Sequence, residues 1–165
     1  MRTVQDAALA IAAAALLGLY LLRLATRHDR LLTRVELARE SLDTQLVRRS
    51  AAAQLISRSP SAAPELAALG HVADAALAAA QGEREAAESA LTRALRAALE
   101  HGALAPVDRD ALAGLAGRVR LARQLHNDAV FATLALRRRR VLRSLRLYGR
   151  SRAPAYFDID DTLDG

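Results

Sequence analysis

Three side chains near the C-terminal end of the sequence have types and a spacing suited to chemistry: Asp158, Asp160 and Thr162, in the order Asp-x-Asp-x-Thr. A carboxylate can attack a phosphoryl group as a nucleophile, or move a proton as a general acid or base. Closely spaced carboxylates also bind Ca²⁺, but an EF-hand loop needs Gly at its sixth position and Glu at its twelfth. Counted from Asp158, neither stands there, so phosphoryl chemistry is the hypothesis to weigh.

This spacing resembles the signature of haloacid-dehalogenase-type phosphotransferases, in which the first aspartate is the nucleophile and the second handles the proton. The resemblance implies a strand before the nucleophile and, after it, an α/β domain that supplies a Lys, a Thr or Ser, and a magnesium-binding Asp. Here a helical pattern and an Arg-Ser-Arg-Ala-Pro linker precede Asp158, and Gly165 is the last residue. We therefore expect residues 150–165 to be an acidic, non-helical tail that can fold back on the basic residues 137–152.

No other arrangement of side chains predicts catalysis. The four His lie far apart with no pair at metal-ligand spacing. Cys is absent, which excludes disulfides and thiolate metal sites, and the glycines are scattered rather than gathered in a phosphate-binding loop. We expect no enzyme activity, no cofactor, no metal and no small-molecule substrate.

The composition favours close-packed helices. Aromatic residues make up 3% of the 165 residues and Trp is absent. A core must then be built mainly from Ala and Leu, whereas strands are normally rich in β-branched and aromatic residues. All 24 basic residues are Arg, and the net charge of +6 is uneven. Residues 118–152 hold eleven Arg and one Asp, while the last eight residues hold four Asp.

The N-terminal segment predicts a membrane anchor. After a short flank (residues 1–6), residues 7–22 carry no charge. Arg23 can snorkel to the interface, which extends the span over residues 7–25. A cleaved signal peptide would need small residues where this Arg stands. A buried, Ala-rich core helix is the other alternative.

The charges around this span predict its orientation. Arg23, Arg27, Arg30 and Arg34 follow the uncharged residues 7–22, and Arg2, offset by Asp6, precedes them. Arg residues accumulate on the cytoplasmic side of membrane proteins. We expect a single-pass protein of the cell inner (plasma) membrane, with the N-terminus outside and the C-terminal domain in the cytoplasm.

Beyond the span, apolar residues recur at the period of an amphipathic helix. The apolar face of the first bundle helix comprises Leu31, Val35, Ala38, Leu42, Leu46 and Ala53. A Pro-containing stretch at residues 59–64 ends this helix, and a second begins at Glu65. Gly82 predicts a break before a third helix, because Gly within a helix costs about 1 kcal/mol relative to Ala.

Gly102 ends the third helix, and Asp108 is the expected N-cap of the last one, which ends near Gly149. We predict an all-α fold in which a transmembrane helix continues into an up-and-down helical bundle over residues 27–149. Four helices are favoured, and three are expected if Gly82 does not interrupt the chain.

Two short motifs give the chain a family resemblance. Residues 42–49, Leu-Asp-Thr-Gln-Leu-Val-Arg-Arg, resemble the Ile-Asp-x-Gln-Leu-x-Arg-Arg signature of the LemA family. Residues 122–130, Ala-Arg-Gln-Leu-His-Asn-Asp-Ala-Val, resemble its Ala-Arg-x-x-Tyr-Asn-Asp-Ala-Val signature, and Tyr-Phe-Asp at 156–158 is similar to its C-terminal close. His126 replaces the usual Tyr, as in a divergent member. The resemblance implies a single-pass membrane protein with a four-helix cytoplasmic bundle and no established biochemical activity.

Helix geometry predicts where the motifs meet. If the first and last bundle helices are antiparallel neighbours, opposite residues have numbers that sum to about 166. Asn127 then faces the neighbourhood of Asp43, and Arg49 that of Arg118. We predict that Asp43, His126 and Asn127 form a polar cluster that fixes the helix register; the alternative is that they are surface residues that never meet. The motif residues with a candidate role are Asp43, Gln45, Arg48, Arg49, His126, Asn127 and Asp128.

A late run of basic residues predicts an anionic surface contact. It comprises Arg137, Arg138, Arg139, Arg140, Arg143 and Arg146. The same register places the run level with Arg27, just inside the lipid headgroups, and a basic amphipathic helix is typical of membrane-surface binding. The alternatives are a solvated helix end and nucleic-acid binding, for which aromatic residues are nearly absent nearby.

These patterns predict a LemA-like membrane protein with a structural or interaction role, which presents a helical surface to a protein partner or to a second copy of itself. The alternative function is an Arg-rich helical module that binds anionic lipid or nucleic acid.

Overall fold

The computed structural model describes residues 2–60, 62–64, 66–138 and 152–163. These residues contain no β-strand, and their helices are α1 (Arg2–Ser57), α2 (Leu66–Ala78), α3 (Arg84–Glu100) and α4 (Pro106–Arg137). The prediction of an all-helical fold with a long, apolar first helix followed by a bundle is confirmed. Gly82 lies in the turn between α2 and α3, so the version with four helices is the correct one.

The chain divides into two compact units. One comprises Met1–Glu36 with Ala129–Ala155, and the other comprises Leu37–Asp128 with Tyr156–Gly165. Both α1 and α4 contribute residues to each unit. In the first unit α1 packs against α4 through two small apolar clusters, one around Leu24 and Leu136 and the other around Val35.

The N-terminal part of α1 exposes its apolar side chains. Among the described residues, one helix is long and apolar enough to cross a membrane, with a mean hydropathy of 2.1 in its most apolar 18-residue window. Only 6% of that window is buried, and Leu16, within the predicted span of residues 7–25, is 69% exposed. A core helix buries such residues. The segment therefore differs from the Ala-rich core helix that was the alternative.

The second unit has its main core between α2, α3 and the neighbouring parts of α1 and α4. Leu69, Leu91, Leu95 and Leu112 are at most 2% exposed there. Complete burial stabilises such a side chain by about 1.5–3 kcal/mol relative to exposure. This apolar packing holds the helices that carry the candidate site.

The register between α1 and α4 is close to the predicted one. Leu46 shares a buried cluster with Val119, and their numbers sum to 165. The same sum holds for Ala53 and Leu112 in the main core. The predicted value was about 166, as expected of antiparallel helices with equal rise per residue.

The ends of α3 and α4 follow from local sequence. Gly102 has a φ of 64°, a left-handed conformation that Gly adopts without strain. Its N–H donates to Leu99 O and the Ala103 N–H donates to Ala98 O, which is the Schellman pattern. The prediction that Asp108 caps α4 is wrong, because the helix begins at Pro106. Pro suits the first helical position, where no N–H is needed, and Asp108 lies inside the first turn.

Candidate functional site

The second unit contains a buried charge cluster that connects α1 to α3. Arg49 on α1 and Glu88 on α3 are both fully buried, with Arg49 Nη2 at 2.9 Å from Glu88 Oε2. Arg49 Nη1 also donates to Thr92 Oγ1 at 3.1 Å. Arg84 Nε donates to the second carboxylate oxygen, Oε1, at 3.1 Å. One carboxylate therefore lies between two guanidinium groups.

The role of this cluster is structural, because it joins α1 to α3. Its groups are shielded from solvent, and a buried ion pair stabilises little relative to apolar packing but is costly to break. The directional contacts of Arg49 with Glu88 and Thr92 fix how α1 lies along α3. The predicted register contact was a different one, a cluster of Asp43, His126 and Asn127 between α1 and α4; the contact of Arg49 with Glu88 joins α1 to α3 and was not predicted.

Residues 156–163 lie along the bundle surface in an extended form, and we refer to them as the C-terminal segment. Phe157, Ile159 and Asp161 are 1%, 6% and 4% exposed, whereas Tyr156, Asp158 and Thr162 are exposed. Alternating burial is the pattern of an extended chain with one face against a surface. Phe157 and Ile159 complete the apolar cluster that Leu42, Leu46, Val119 and Ala122 form between α1 and α4.

Side chains from two helices bind the backbone of this segment. Asn127 Nδ2 donates to Phe157 O at 3.0 Å, and the Phe157 N–H donates to Asn127 Oδ1 at 2.9 Å. On α3, Glu85 Oε1 accepts from the Asp158 N–H at 3.0 Å and Ser89 Oγ accepts from the Asp160 N–H at 3.2 Å. We call this site, between α1, α3 and α4, the segment groove.

Arginines bind the acidic side chains of the segment. Arg123 Nε lies 2.7 Å from Asp161 Oδ2, and Arg96 Nη2 lies 3.0 Å from Asp160 Oδ2. The hydrogen bond from Arg96, together with those from Thr162, holds the pKa of Asp160 below its usual 3.8. The Arg39 guanidinium lies 4.6 Å from the centroid of the Phe157 ring, a cation–π contact.

The acidic tail thus folds back, and its described contacts are with residues that were not predicted. The prediction put the acidic residues against residues 137–152, of which 139–151 lie outside the described residues. In the structure Asp160 and Asp161 are bound by Arg96 and Arg123 of the second unit. A wholly charged contact was predicted, whereas the segment is also anchored by the buried side chains of Phe157 and Ile159.

Asp43 and Asn127, two members of the predicted polar cluster, have different partners in the structure. Asp43 is half exposed, with Oδ1 at 4.0 Å from Arg84 Nη2. His126 is buried. Asn127 uses both ends of its amide on the backbone of the C-terminal segment, and its role in α1–α4 register stays a prediction.

The remaining candidates are dispersed. Arg48 and Asp128 are exposed, and Gln45 is partly buried. Of the basic run, Arg137 is partly buried and Arg138 is exposed at the end of α4. The others, Arg139, Arg140, Arg143 and Arg146, lie outside the described residues, as does the predicted end of the last helix at Gly149.

Sequence reasoning missed Arg84, Glu88, Ser89, Arg96 and Arg123. A signal was present for Glu88, which falls on the apolar face of α3, three residues before Leu91 and seven before Leu95. Arg49 likewise falls three residues after Leu46 on α1. The alternation of Phe157, Ile159, Asp161 and Leu163 is the corresponding signal in the tail.

The cleft beside Arg84 does not form a selective site. A cavity of about 320 Å³ is lined by Arg39, Glu40, Asp43, Ala79, Gln81 and Arg84. Two guanidiniums and two carboxylates leave it without a net charge that would select a ligand. Within the described part of the chain, no three His or acidic side chains are placed to hold a metal ion.

Comparisons with protein-family models, curated proteins and solved structures returned no match for this chain.

Proposed function

We propose that this chain is a divergent LemA-like, single-pass membrane protein whose helical bundle lies in the cytoplasm and binds a protein partner at the membrane surface. The observation that carries the proposal is the exposed apolar surface of the first part of α1, where 6% of the most apolar window is buried. A long exposed apolar surface is unfavourable in water and favourable in lipid. The motifs at residues 42–49 and 122–130 support the family assignment.

The proposed role is interaction rather than catalysis. Asp160, the carboxylate that would handle the proton in an Asp-x-Asp-x-Thr site, is bound by Arg96 and by Thr162. The Asp158 N–H is bound by Glu85. Through these contacts the acidic motif binds to the surface of the helical bundle. The folded second unit presents a surface on which helices α1, α3 and α4 already hold an extended segment.

Membrane insertion can be tested with a matched pair of substitutions on α1. Leu16 and Leu55 are 69% and 75% exposed, but only Leu16 lies in the proposed span. Arg at the centre of a spanning helix costs about 2.5–3.5 kcal/mol of insertion free energy. We expect wild type and Leu55→Arg to stay with membranes after alkaline carbonate extraction, and Leu16→Arg to be depleted there. Release of the wild-type chain by carbonate, or identical behaviour of both variants, would contradict the anchor.

A second candidate function is binding of anionic lipid or nucleic acid by the Arg-rich part of the chain. The exposed Arg27, Arg30 and Arg34 on α1 and Arg138 at the end of α4 favour it. If nucleic acid is the ligand, the full chain in neutral detergent micelles binds duplex DNA with a steep salt dependence. Anionic liposomes would not compete in that case. Competition by the liposomes identifies lipid as the ligand.

A further inference from the structure

The segment groove binds backbone groups, which every peptide possesses. Three of its residues, Asn127, Glu85 and Ser89, make four hydrogen bonds to backbone N–H and C=O groups rather than to side chains of the segment. Backbone hydrogen bonds give affinity for an extended chain of any sequence, while pockets for alternate side chains give specificity. The groove therefore has the two components of a peptide-recognition site.

The side-chain contacts define which peptide fits. Phe157 and Ile159 are buried in the α1–α4 cluster, and Arg123 and Arg96 bind the two carboxylates that follow. Charge-assisted contacts of this kind discriminate strongly against an uncharged residue. The matching ligand is an extended segment of the form Phe-x-aliphatic-Asp-Asp.

The main core of the unit is built without the segment. Its buried members come from the helices and the connection before α4, and Leu163 only packs at its edge. The ion pair of Arg49 with Glu88 ties α1 to α3 independently. Side chains carried on helices held in this way are positioned before a ligand arrives.

We propose that the segment groove is a binding site for an extended acidic peptide of a partner protein, and that the chain's own C-terminal segment occupies it as a displaceable competitor. This inference rests on the proposed interaction function and names the site, the partner chemistry and the regulation. A covalently attached segment has an effective concentration on the order of millimolar. The partner peptide therefore occupies the groove to a large extent only when its local concentration or its affinity exceeds that of the attached segment.

The test uses the full chain in neutral detergent micelles and a fluorescein-labelled peptide with the sequence of residues 152–163. The receptor is a Phe157→Ala/Ile159→Ala variant, in which the attached segment has lost its anchors while the groove is unchanged. We expect saturable binding by fluorescence anisotropy, and at least about tenfold weaker apparent binding to wild type, whose groove is occupied. A peptide carrying Phe157→Ala serves as the control and is expected not to bind.

A charge exchange identifies the site. Adding Arg123→Asp to the receptor is expected to abolish binding of the natural peptide, and a peptide carrying Asp161→Arg is expected to restore it. Failure of the natural peptide to bind the folded receptor, or binding insensitive to Arg123→Asp, would overturn the proposal. Loss of helicity in the receptor variant would also overturn it, since the segment would then be part of the fold.

Oligomeric state separates a partner peptide from a second copy of this chain. If light scattering shows a wild-type dimer that the Phe157→Ala/Ile159→Ala variant converts to a monomer, the groove holds the segment of another copy and the partner proposal fails. Binding in micelles does not depend on membrane topology. If the peptide does not bind but the wild-type chain resists carbonate extraction, only this inference is rejected. If the peptide binds but carbonate releases the wild-type chain, only the proposed anchor is rejected.

Discussion

Replacing Glu88 by Gln is the most severe small perturbation of the buried charge cluster. The two carboxylate oxygens of Glu88 accept from Arg49 at 2.9 Å and from Arg84 at 3.1 Å, and Glu88 is fully buried. Gln removes the negative charge and presents an amide donor to a guanidinium that needs an acceptor. Asp43 cannot replace it fully, because its side chain is 55% exposed and its Oδ1 is 4.0 Å from Arg84.

The expected loss is large because a charge is left buried without its partner. Breaking a buried ion pair by removing one member costs about 3–5 kcal/mol. In a chain of this size, 1 kcal/mol corresponds to about 2–4 °C in Tm. We therefore expect Glu88→Gln to lower Tm by about 6–20 °C. The assay is far-UV circular dichroism of the full chain in detergent micelles during heating.

Two controls separate this effect from a general loss of charge. Glu40→Gln changes an exposed carboxylate on α1 and is expected to stay within about 0.5 kcal/mol of wild type. Replacing the whole cluster, Arg49→Met/Arg84→Met/Glu88→Leu, is expected to restore most of the stability, since apolar replacement of buried ion pairs is often neutral or stabilising. A Glu88→Gln protein that melts within about 2 °C of wild type would refute the argument.

Three further predictions concern the C-terminal segment. Measured by carboxyl ¹³C NMR, the pKa of Asp160 should lie below its usual value of 3.8. The C-terminal segment is therefore bound most strongly above pH 3.8, and its binding weakens as the pH falls through the lowered pKa. Arg96→Gln should raise the pKa of Asp160. Asn127→Leu leaves the Phe157 N–H and C=O without their partner, which costs about 1–3 kcal/mol. Amide exchange at Phe157 should then accelerate by about 5–150-fold, and an unchanged rate would count against the contact. Phe157→Ala should remove amide protection from the whole segment while the helices keep theirs, measured by hydrogen exchange.

Much of the fold follows from local sequence. Gly102 ends α3 for a backbone reason that does not depend on the rest of the chain, and Gly82 lies in the turn between α2 and α3. The α1–α4 register follows from equal helical rise, and Val35 shares a cluster with Val130 at the same sum of 165 that Leu46 and Val119 give. Among the described helix ends, the start of α4 was misplaced, because Pro at the first helical position takes precedence over a downstream Asp.

The candidate site was harder to predict because its contacts join residues distant in sequence. Arg and Glu are rarely fully buried unless paired, so composition assigns Arg49 and Glu88 to the surface. Their positions on the apolar faces of two helices predict burial better. Because a buried Arg49 or Glu88 without the other would be an unpaired charge, burial of both predicts that they pair. The contacts of the acidic tail were likewise predicted from its charge alone. The alternation of Phe157 and Ile159 with acidic residues instead determines which face of the tail is buried.

Cysteine accessibility tests the central claim of a membrane-anchored cytoplasmic bundle most directly. The chain has no Cys, so Thr3→Cys before the span and Ala113→Cys on α4, both at exposed positions, each give a single label. Intact cells are treated with a membrane-impermeant maleimide before or after lysis. If the bundle is cytoplasmic, Thr3→Cys is labelled in intact cells and Ala113→Cys only after lysis. Labelling of Ala113→Cys in intact cells would contradict it.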